Sequence, residues 1–385
     1  MVSAPPAAYR LVLLSNAMHQ DNFARVFASH ARLRMVGLVD EPDVEPYVRA
    51  RNRRLAEQLG VPYHDSLAAL EDLDADAVSV GAEIERRGRL AAHVASLGKH
   101  LWLDKPPAAT HAAADALAAA VAHSRVRTLV TSGVAARWAE RAKQRLLDGE
   151  VGDVLALHVD AHFAKGRSER LPARKVPAGV GPDGPAAAGS ATLWTFRDAL
   201  LTDPTESSHH VVAKRELFEI GWYAFALVHC LTGRRIRRLC ARTGAYFSSR
   251  HHALDVEDFA VVALELAGGA VATVSTGRTG RASHPGHGRM ALRVTGTRGV
   301  LQLDGGRPAL DAPADAVPLN TVGRDIPGVL DAFGATRQVD RFVACLDGEA
   351  PAPLDAAAGC HLVHALLAAY ESAAAGAPVA VSAGE

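Results

Sequence analysis

A lysine stands where a short apolar segment ends, and its type and position suit the stabilisation of negative charge. Lys105 lies in the sequence Asp104-Lys105-Pro106, directly after the apolar run at residues 100–103. An ammonium group there can hydrogen-bond a hydroxyl and lower the energy of an alkoxide as charge develops. Pro106 fixes the turn, and its peptide bond can be cis. We therefore expect Lys105 to contact the reacting part of a ligand.

The segments that position this lysine alternate between apolar runs and helical stretches. Strands are predicted at residues 9–14, 33–39, 76–80, 100–103 and 127–131, and helices at 21–30, 48–59, 89–97 and 112–123. Parallel neighbours need a crossover connection, so the alternation predicts a parallel α/β sheet. Right-handed crossovers give a doubly wound Rossmann sheet, which binds ligands at the carboxyl ends of its strands. We assign residues 1–133 to a dinucleotide-binding domain.

From residue 134 onward the pattern changes to strands of period two with short glycine turns, which indicate antiparallel pairs. Strands are predicted at residues 154–163, 236–243, 257–266, 270–276, 290–296, 299–303 and 378–381, and helices at 138–147, 216–231 and 356–375. Residues 165–214 form an irregular stretch rich in Gly, Pro, Ala and Arg, and a loop of that length is often functional. Residues 134–385 therefore predict a substrate-binding and oligomerisation domain of the α+β class. Its mostly antiparallel sheet has one open face, and residues 356–381 close the fold.

The loop after the first strand is the expected phosphate-binding loop, although it contains no glycine. A Rossmann domain ordinarily carries G-x-G-x-x-G there, so that the backbone can approach a pyrophosphate. The corresponding residues, which we expect to contact the cofactor, are Ser15, Asn16, Ala17, Met18, His19 and Gln20. Serine and alanine still permit close approach, but Gln20 is not small. The alternative is a strand-to-helix turn that binds no phosphate.

An acidic residue ends the second predicted strand. Asp40 can accept hydrogen bonds from both ribose hydroxyls of a dinucleotide and would repel a 2′-phosphate. It therefore favours NAD over NADP. The alternative is an aspartate that only terminates the strand before a turn.

Composition and charge exclude several classes of protein. Lys+Arg and Asp+Glu each number 42, so there is no basic field to attract nucleic acid or an anionic membrane. The cysteines are four and scattered, without a CxxC pair, which argues against a zinc site or a disulfide framework and favours the cytosol. No signal peptide and no membrane-spanning run is expected. His158 and His162 can share one face of a strand, but we expect no metal.

Three segments in order resemble the glucose–fructose oxidoreductase/inositol dehydrogenase (Gfo/Idh/MocA) family. Residues 98–106, GKHLWLDKP, are similar to the family's GKH-V-xx-EKP stretch, with Asp for Glu. Residues 216–233 resemble the helix that carries an acidic residue and, four positions later, a His or Tyr. Residues 369–379 resemble the family's closing helix and strand. The resemblance spans nearly the whole chain.

The resemblance implies hydride transfer at a secondary alcohol carbon, with NAD as cofactor. By the resemblance, Tyr223 would be the proton donor or acceptor. Lys105 would lower the pKa of Tyr223 or hold the substrate hydroxyl, and Glu219 would orient the substrate. Residues i and i+4 share a helix face, so Glu219 and Tyr223 can both point into a cleft. A phenol ordinarily ionises near pH 10, so it needs a nearby cation to act as a base near neutral pH. The alternatives are core packing for Tyr223 and an ion pair for Glu219.

The chain departs from the family pattern where the cofactor would lie. The glycine loop is replaced, and the family's T-P-x-x-x-H becomes residues 82–87, AEIERR. Either NAD is bound in a modified pocket, with Arg86 or Arg87 near the pyrophosphate, or nucleotide binding has weakened. Asp40 favours the first interpretation, and we add Ala82, Arg87, Asp104 and Lys105 to the expected cofactor-binding residues.

The leading hypothesis is an NAD-dependent oxidoreductase of a sugar, cyclitol or sugar-like metabolite. A second enzymatic hypothesis is a redox-neutral lyase or glycosidase that uses bound NAD through transient oxidation. A third is a non-catalytic ligand-binding or regulatory homologue with a degenerate cofactor loop. The expected substrate-binding residues are Lys105, His210, Glu219 and Tyr223. We further expect a homodimer or homotetramer that buries the open sheet face.

Overall fold

A computed structural model describes residues 8–164, 196–197, 211–213, 215–247, 251–252, 255–279, 288–304 and 334–382. The contacts within the chain divide it into two compact units. In the described part of the chain, the first unit contains residues 8–131 and 335–360, and the second contains the others.

The first unit is built on a parallel sheet of six strands in the order β3-β2-β1-β4-β5-β6. The strands are β1 (Tyr9–Leu14), β2 (Leu33–Val39), β3 (Tyr63–His64), β4 (Ala77–Val80), β5 (His100–Leu103) and β6 (Thr128–Val130). All their pairings are parallel, which confirms the doubly wound Rossmann sheet. The order reverses between β1 and β4, and such a switch point is where open α/β sheets bind ligands.

The helices of this unit cover the sheet with apolar faces. They are α1 (Gln20–Ser29), α2 (Pro46–Leu59), α3 (Ala69–Asp72), α4 (Ile84–Ser96) and α5 (His111–Ser124), joined by α9 (Ala335–Asp347) from late in the chain. Trp102 of β5 is fully buried, and its ring meets Phe27 of α1 edge-on at 5.1 Å and Phe342 of α9 at 5.5 Å between centroids. Aromatic pairs in this geometry add to the burial energy, so α9 is part of the core of the sheet.

The second unit contains a sheet of seven strands in the order β14-β13-β7-β12-β11-β10-β15. Its strands are β7 (Val154–Ala164), β10 (Ile236–Gly244), β11 (Phe259–Leu266), β12 (Val271–Thr279), β13 (Gly288–Gly296), β14 (Val300–Asp304) and β15 (Val379–Ala380); β8 (Phe196–Arg197) and β9 (Val211–Ala213) form a separate antiparallel pair. Only β7 and β12 pair in parallel, so the predicted mostly antiparallel sheet is confirmed. Along β11 buried and exposed residues alternate, which leaves one face of the sheet open.

The helices of the second unit are α6 (Arg137–Leu147), α7 (Glu216–Glu219), α8 (Gly221–Thr232) and most of α10 (Ala356–Ala375). The prediction of one amphipathic helix over residues 216–231 was wrong in two respects. The helix is divided at Ile220, and α8 is buried on nearly every face. The second helix begins at a closely packed glycine, since a Cβ at Gly221 would lie 2.9 Å from Leu217 Cδ1 and 3.3 Å from Thr276 Cγ2.

Two further observations bear on the class of protein. Among the helices of the described segments, none is long and apolar enough to cross a membrane. The cysteines are free thiols, and three of them are buried.

Candidate functional site

Lys105 lies at the carboxyl end of β5, in a turn that buries charged groups. Asp104 and Lys105 are each 3% exposed, and the Lys105–Pro106 peptide bond is cis. The backbone N–H of Lys105 donates to Asp104 Oδ1 at 2.8 Å. The turn therefore places a buried lysine next to a buried aspartate in the chain, at the sheet edge where parallel sheets bind ligands.

Asp104 is held as an anion by its neighbours. His19 Nδ1 lies 3.0 Å from Asp104 Oδ2, Arg87 Nη2 donates to the same oxygen at 3.2 Å, and the Thr131 hydroxyl donates to Oδ1 at 3.3 Å. Burial acts to raise the pKa of Asp104, but the charges of His19, Arg87 and Lys105 hold it well below its ordinary value. The contact with His19 also joins the β1–α1 loop to the turn that carries Lys105.

Arg87 is fully buried and binds the backbone of this turn. Its Nη1 donates to the carbonyl oxygens of Lys105 at 2.8 Å and Pro106 at 2.6 Å, while Nε and Nη2 donate to the Ala82 carbonyl at 3.1 and 2.7 Å. With the bond to Asp104, these contacts use all five donors of the guanidinium. Arg87 therefore positions the Lys105 turn from within the protein. Ala82, also fully buried, contributes its carbonyl oxygen to the same arrangement.

The β1–α1 loop makes its turn without a glycine. Ser15 adopts a left-handed conformation with φ of 64°, which serine tolerates less readily than glycine. The Asn16 N–H donates to Asn52 Oδ1 at 2.7 Å, and the Met18 N–H donates to the Gly81 carbonyl at 3.1 Å. The loop is thus tied to α2 on one side and to the end of β4 on the other.

Gln20 fills the position where a small residue is ordinarily needed between helix and strand. It is 2% exposed; its Nε2 donates to the Ser79 carbonyl at 3.1 Å, and its Oε1 accepts from the Ser79 hydroxyl at 3.0 Å. A Cβ at Gly81 would lie 2.6 Å from Gln20 Oε1 and 2.9 Å from the Ser15 carbonyl. Gly81 therefore supplies the space that the larger Gln20 occupies.

Asp40 is fully buried at the end of β2, and its carboxylate already has partners. Asn52 Nδ2 donates to Oδ2 at 2.8 Å, while Arg86 Nη1 and the Glu41 N–H each donate to Oδ1 at 2.9 Å. The expected ribose acceptor is thus bound to its own chain, mainly through residues that the sequence analysis did not select.

Beside these polar groups, the loop and the start of α2 form a small apolar cluster. Ala17, Val44 and Val48 are buried in it, and Met18 and Tyr47 are half-buried against it. Arg51 Nη1 is buried close by without a hydrogen-bond partner, while its Nη2 donates to the Met18 carbonyl at 3.3 Å. A buried donor lacking an acceptor favours an anionic or polar ligand at this loop.

The residues at these strand ends fit a dinucleotide. The β1–α1 loop follows β1, and the Asp40 carboxylate follows β2. The guanidinium of Arg86 lies within reach of both, 3.3 Å from Ser15 Oγ and 2.9 Å from Asp40 Oδ1. The Arg51 donor that lacks a hydrogen-bond partner is consistent with a loop that receives phosphate. The chemistry of this donor set therefore agrees with NAD.

In the second unit, Glu219 ends α7 and Tyr223 lies in the first turn of α8. Glu219 is buried, whereas Tyr223 is half-buried beside the short 3₁₀ helix Gly133–Ala135. A Cβ at Gly133 would lie 3.6 Å from Tyr223 Cδ1. The Tyr223 N–H donates to the Ile220 carbonyl at 3.1 Å, which tightens the link between the two helices. His210, predicted to bind substrate, lies outside the described residues.

A buried network fixes the start of α7. Glu257 accepts from Arg215 Nη1 at 3.0 Å, from the Leu217 N–H at 3.2 Å and from the Tyr370 hydroxyl at 2.6 Å, and that hydroxyl accepts from the Phe218 N–H at 3.0 Å. Burial raises the pKa of Glu257, against the lowering effects of Arg215 and Tyr370. The helix that carries Glu219 is therefore anchored by side chains from β11 and α10 and their flanks.

A second charged group of three residues lies at the same helix. The Arg278 Nε donates to Glu216 Oε1, and His251 Nε2 lies 3.7 Å from the same oxygen. Burial acts to raise the pKa of Glu216, but Arg278 and His251 hold it below its ordinary value. Burial acts to lower the pKa of His251, and Glu216 reverses that effect and raises it. No spacing in the sequence reveals these contacts, because the partners come from distant elements.

Comparison with protein families identifies both parts of the chain. Residues 15–132 match the oxidoreductase family with an NAD-binding Rossmann fold, and residues 194–302 match the GFO/IDH/MocA C-terminal domain. Together the two matches cover more than half of the chain. The chain belongs to the GFO/IDH/MocA oxidoreductase family. Its first unit is accordingly an NAD-binding Rossmann domain, as the resemblance implied.

Several solved structures share the fold over nearly the whole chain. GenD2 from gentamicin A biosynthesis, in complex with NAD, is 22% identical with a TM-score of 0.71, covering 99% of this chain and 98% of that one. A putative myo-inositol dehydrogenase from Sinorhizobium meliloti 1021 is 16% identical with a TM-score of 0.71, covering 97% and 100%. A myo-inositol dehydrogenase from Corynebacterium glutamicum is 15% identical with a TM-score of 0.70, covering 97% and 99%. A search of curated proteins finds no match.

The two histidines of β7 lie beside hydroxyl groups of β12. Within the described residues, no group of three or more His, Cys, Asp or Glu side chains could hold a metal ion. His158 Nδ1 instead lies 2.6 Å from the Thr273 hydroxyl, and His162 Nε2 lies 2.9 Å from the Ser275 hydroxyl. His158 and His162 therefore pair with hydroxyls of the neighbouring strand, β12.

Proposed function

We propose that this protein is an NAD-dependent oxidoreductase that transfers a hydride to or from a secondary alcohol or ketone carbon of a sugar, cyclitol or sugar-like metabolite. The observation that carries the proposal is Lys105, a buried ammonium group at the carboxyl end of β5. Its turn is held by Asp104 and Arg87, which leaves the lysine in a fixed and charged setting. Such a group can stabilise an alkoxide as it forms.

In this proposal NAD supplies the hydride acceptor or donor, and the strand ends of the first unit hold it. The β1–α1 loop, residues 15–20, binds the cofactor together with Asp40. Ala82 and Asp104 shape the cofactor site from the ends of β4 and β5. Arg87 acts through the backbone of the Lys105 turn, because its donors are taken up by that turn and by the Ala82 carbonyl. The carboxylates near Asp40 favour NAD over NADP, since a 2′-phosphate would meet like charge.

The proton and the substrate are handled by the predicted catalytic residues. We assign Tyr223 as proton donor or acceptor, Lys105 as the cation that lowers its pKa or holds the substrate hydroxyl, and Glu219 as the residue that orients the substrate. The anchoring of α7 by Glu257 supports the role of Glu219, because a fixed carboxylate can orient a hydroxyl. His210 is a further candidate for substrate contact.

Structures that share the fold point to polyhydroxylated substrates. Two of them are described as myo-inositol dehydrogenases and another belongs to gentamicin A biosynthesis. At these identities the likeness establishes the fold, so the substrate class is our inference. It agrees with the roles proposed for the Lys105 ammonium group, the Tyr223 phenol and the Glu219 carboxylate.

The test is a titration of NAD⁺ into the purified protein, followed by a panel of inositols and sugars read by NADH absorbance. Absence of binding at millimolar NAD⁺ would rule out the proposal. Lys105→Ala and Tyr223→Phe are expected to lower kcat by orders of magnitude while NAD⁺ still binds. Lys99→Ala, at the amino end of β5, and Tyr246→Phe, at an exposed ring, are matched controls. Product formation without net NADH would favour the redox-neutral alternative.

We also propose the wider setting of the protein. Residues 1–133 act as the dinucleotide-binding domain and residues 134–385 as the substrate domain. A homodimer or homotetramer in the cytoplasm buries the open face of the sheet, where Leu155, Val261 and Val271 are about half exposed. Light scattering of the purified protein at micromolar concentration tests the association, and a monomer would contradict it.

A further inference from the structure

One guanidinium joins three strand ends of the Rossmann sheet. Arg86, in the first turn of α4, donates through Nη1 to Asp40 Oδ1 at 2.9 Å and to Glu41 Oε2 at 3.0 Å, after β2. Its Nε donates to Glu83 Oε2 at 2.9 Å, after β4, and its Nη2 reaches Ser15 Oγ at 3.3 Å, after β1. We call these four partners the Arg86 cage. The guanidinium lies where the strand order reverses.

The cage keeps this arginine charged and in place. Burial acts to lower the pKa of Arg86, but Glu83 and Asp40 raise it above its ordinary value. The side chain remains 21% exposed, so the guanidinium is reachable from solvent. Its longest contact is the one to Ser15, the first residue of the loop that should receive phosphate.

Its neighbours on α4 do not share this setting. Arg87 is fully buried and donates mostly to backbone carbonyls, which cannot move away from it. Arg89 is 59% exposed and pairs with Glu41 at 2.8 Å. Of the three, Arg86 alone combines contact with the β1–α1 loop, partners that are side chains, and access to solvent.

We propose that Arg86 binds the pyrophosphate of the dinucleotide and that Asp40 is a positioning residue that holds Arg86 before the cofactor arrives. The proposal rests on the proposed function, because it assumes that a dinucleotide occupies these strand ends. A guanidinium fork matches two phosphate oxygens, and Nε and Nη2, which now donate to Glu83, present such a fork to the pyrophosphate once Glu83 is displaced. Residues 82–87 and residues 15–20 both differ from the family pattern. In this proposal the two differences belong together, because the arginine in the first segment serves the loop formed by the second.

The cage also predicts the effect of its carboxylates. The pyrophosphate competes with Glu83 for Arg86, since both are anions and Glu83 is bound through Nε and Nη2. Removing the Glu83 charge therefore frees Arg86 and strengthens binding. Asp40 and Glu41, in contrast, face the ribose side, where they disfavour a 2′-phosphate even though Asp40 is occupied.

The experiment measures the Kd values of NAD⁺, ADP and adenosine by calorimetry for Arg86→Met, Arg86→Lys and Glu83→Gln. Arg86→Met should weaken NAD⁺ and ADP roughly ten- to hundredfold, the range for lost bonds to charged groups, and adenosine less than about threefold. Arg86→Lys should show an intermediate loss, and Glu83→Gln a gain of several-fold for NAD⁺ and ADP but none for adenosine. Arg89→Met removes the same charge from the same helix and should leave all three Kd values within about twofold.

Arg86→Met leaves three carboxylates facing one another, so thermal unfolding of each variant is recorded. If it fails to fold, the opposite signs expected for Arg86→Lys and Glu83→Gln carry the test. Unchanged or tighter ADP binding in a folded Arg86 variant overturns the inference while the proposed function stands. A wild-type protein that binds neither NAD⁺ nor ADP overturns both.

Discussion

Replacing Tyr370 with phenylalanine removes one oxygen atom from the centre of the network that anchors α7. That oxygen donates to Glu257 Oε1 at 2.6 Å and accepts from the Phe218 N–H at 3.0 Å, in a fully buried setting. A hydrogen bond to a charged group contributes about 1.5–3 kcal/mol, and a buried amide left without an acceptor costs about 1–3 kcal/mol. We therefore expect Tyr370→Phe to lower the free energy of unfolding by about 3 kcal/mol.

The loss should depend on pH in a defined direction. Burial already raises the pKa of Glu257, and the Tyr370 hydroxyl acts to lower it. Without that hydroxyl the pKa of Glu257 in the folded protein rises further above its unfolded value of about 4.3. The folded state then binds more protons than the unfolded state, so the stability of the variant falls as pH rises through that window. The loss at pH 8 should exceed the loss at pH 5.

The assay combines urea unfolding at these two pH values with steady-state kinetics. At about 3 kcal/mol the midpoint of thermal unfolding should fall by roughly 6–12 °C. Because α7 ends at Glu219, its loosened start should raise KM for the substrate several-fold with a smaller effect on kcat.

Ser372→Ala is the matched control, since it also removes a buried hydroxyl from α10. The Ser372 hydroxyl donates to the Ala377 carbonyl at 2.6 Å and accepts from the Ala241 N–H at 3.0 Å, away from α7. It should lower stability and leave KM unchanged. A Tyr370→Phe protein whose loss is independent of pH, or whose KM equals that of the control, would refute the reasoning.

Other consequences can be measured separately. Burial and the charge of Arg235 lower the pKa of His361 to about 3, so wild-type stability should fall as pH drops below the ordinary histidine value of about 6.5; His361→Asn should flatten the urea-measured slope between about pH 6 and 4. Gly81→Ala places a Cβ 2.6 Å from Gln20 Oε1 and 2.9 Å from the Ser15 carbonyl, and it should weaken NAD⁺ about tenfold by calorimetry; adding Gln20→Ala should give partial recovery, because the contact with Ser15 remains. Asp40→Asn should weaken NAD⁺ without producing a preference for NADP⁺ in the same titration, because Glu41 remains.

The sheet of the first unit could be predicted because its strands are continuous apolar runs. Buried parallel strands are hydrophobic on both faces, and the strands at residues 9–14, 33–39 and 100–103 match the structure residue for residue. β3 was missed because it consists of only two residues, Tyr63 and His64, which are too few to show an alternation of apolar and polar side chains. α9 was missed although Val339, Phe342 and Leu346 mark its buried face, since no strand or motif nearby suggested that a late helix joins the first core.

The candidate site could be predicted less completely, because a motif names residues and not their partners. Lys105 was selected from its place after a strand, and the structure gives it a buried turn there. Asp40 was selected for its free carboxylate, yet Asn52 and Arg86 bind it. These partners lie 12 and 46 positions away, and only the packing of α2 and α4 brings them to β2.

The loop at residues 15–20 shows why a missing motif was difficult to interpret. Glycines in that motif are required because the backbone comes close to a phosphate or to a neighbouring strand, and that requirement can be met from either side of the contact. Here Gln20 is large, and the space it needs is provided by Gly81, directly after the neighbouring strand β4. A Cβ at Gly81 would contact both Gln20 and the Ser15 carbonyl. A glycine after β4 thus does the work that a glycine in the β1–α1 loop ordinarily does. Gly81 permits the close approach, and Arg86 supplies a cation for the pyrophosphate. We infer that these two residues replace the loop glycines, so the absence of those glycines is no sign of a lost cofactor.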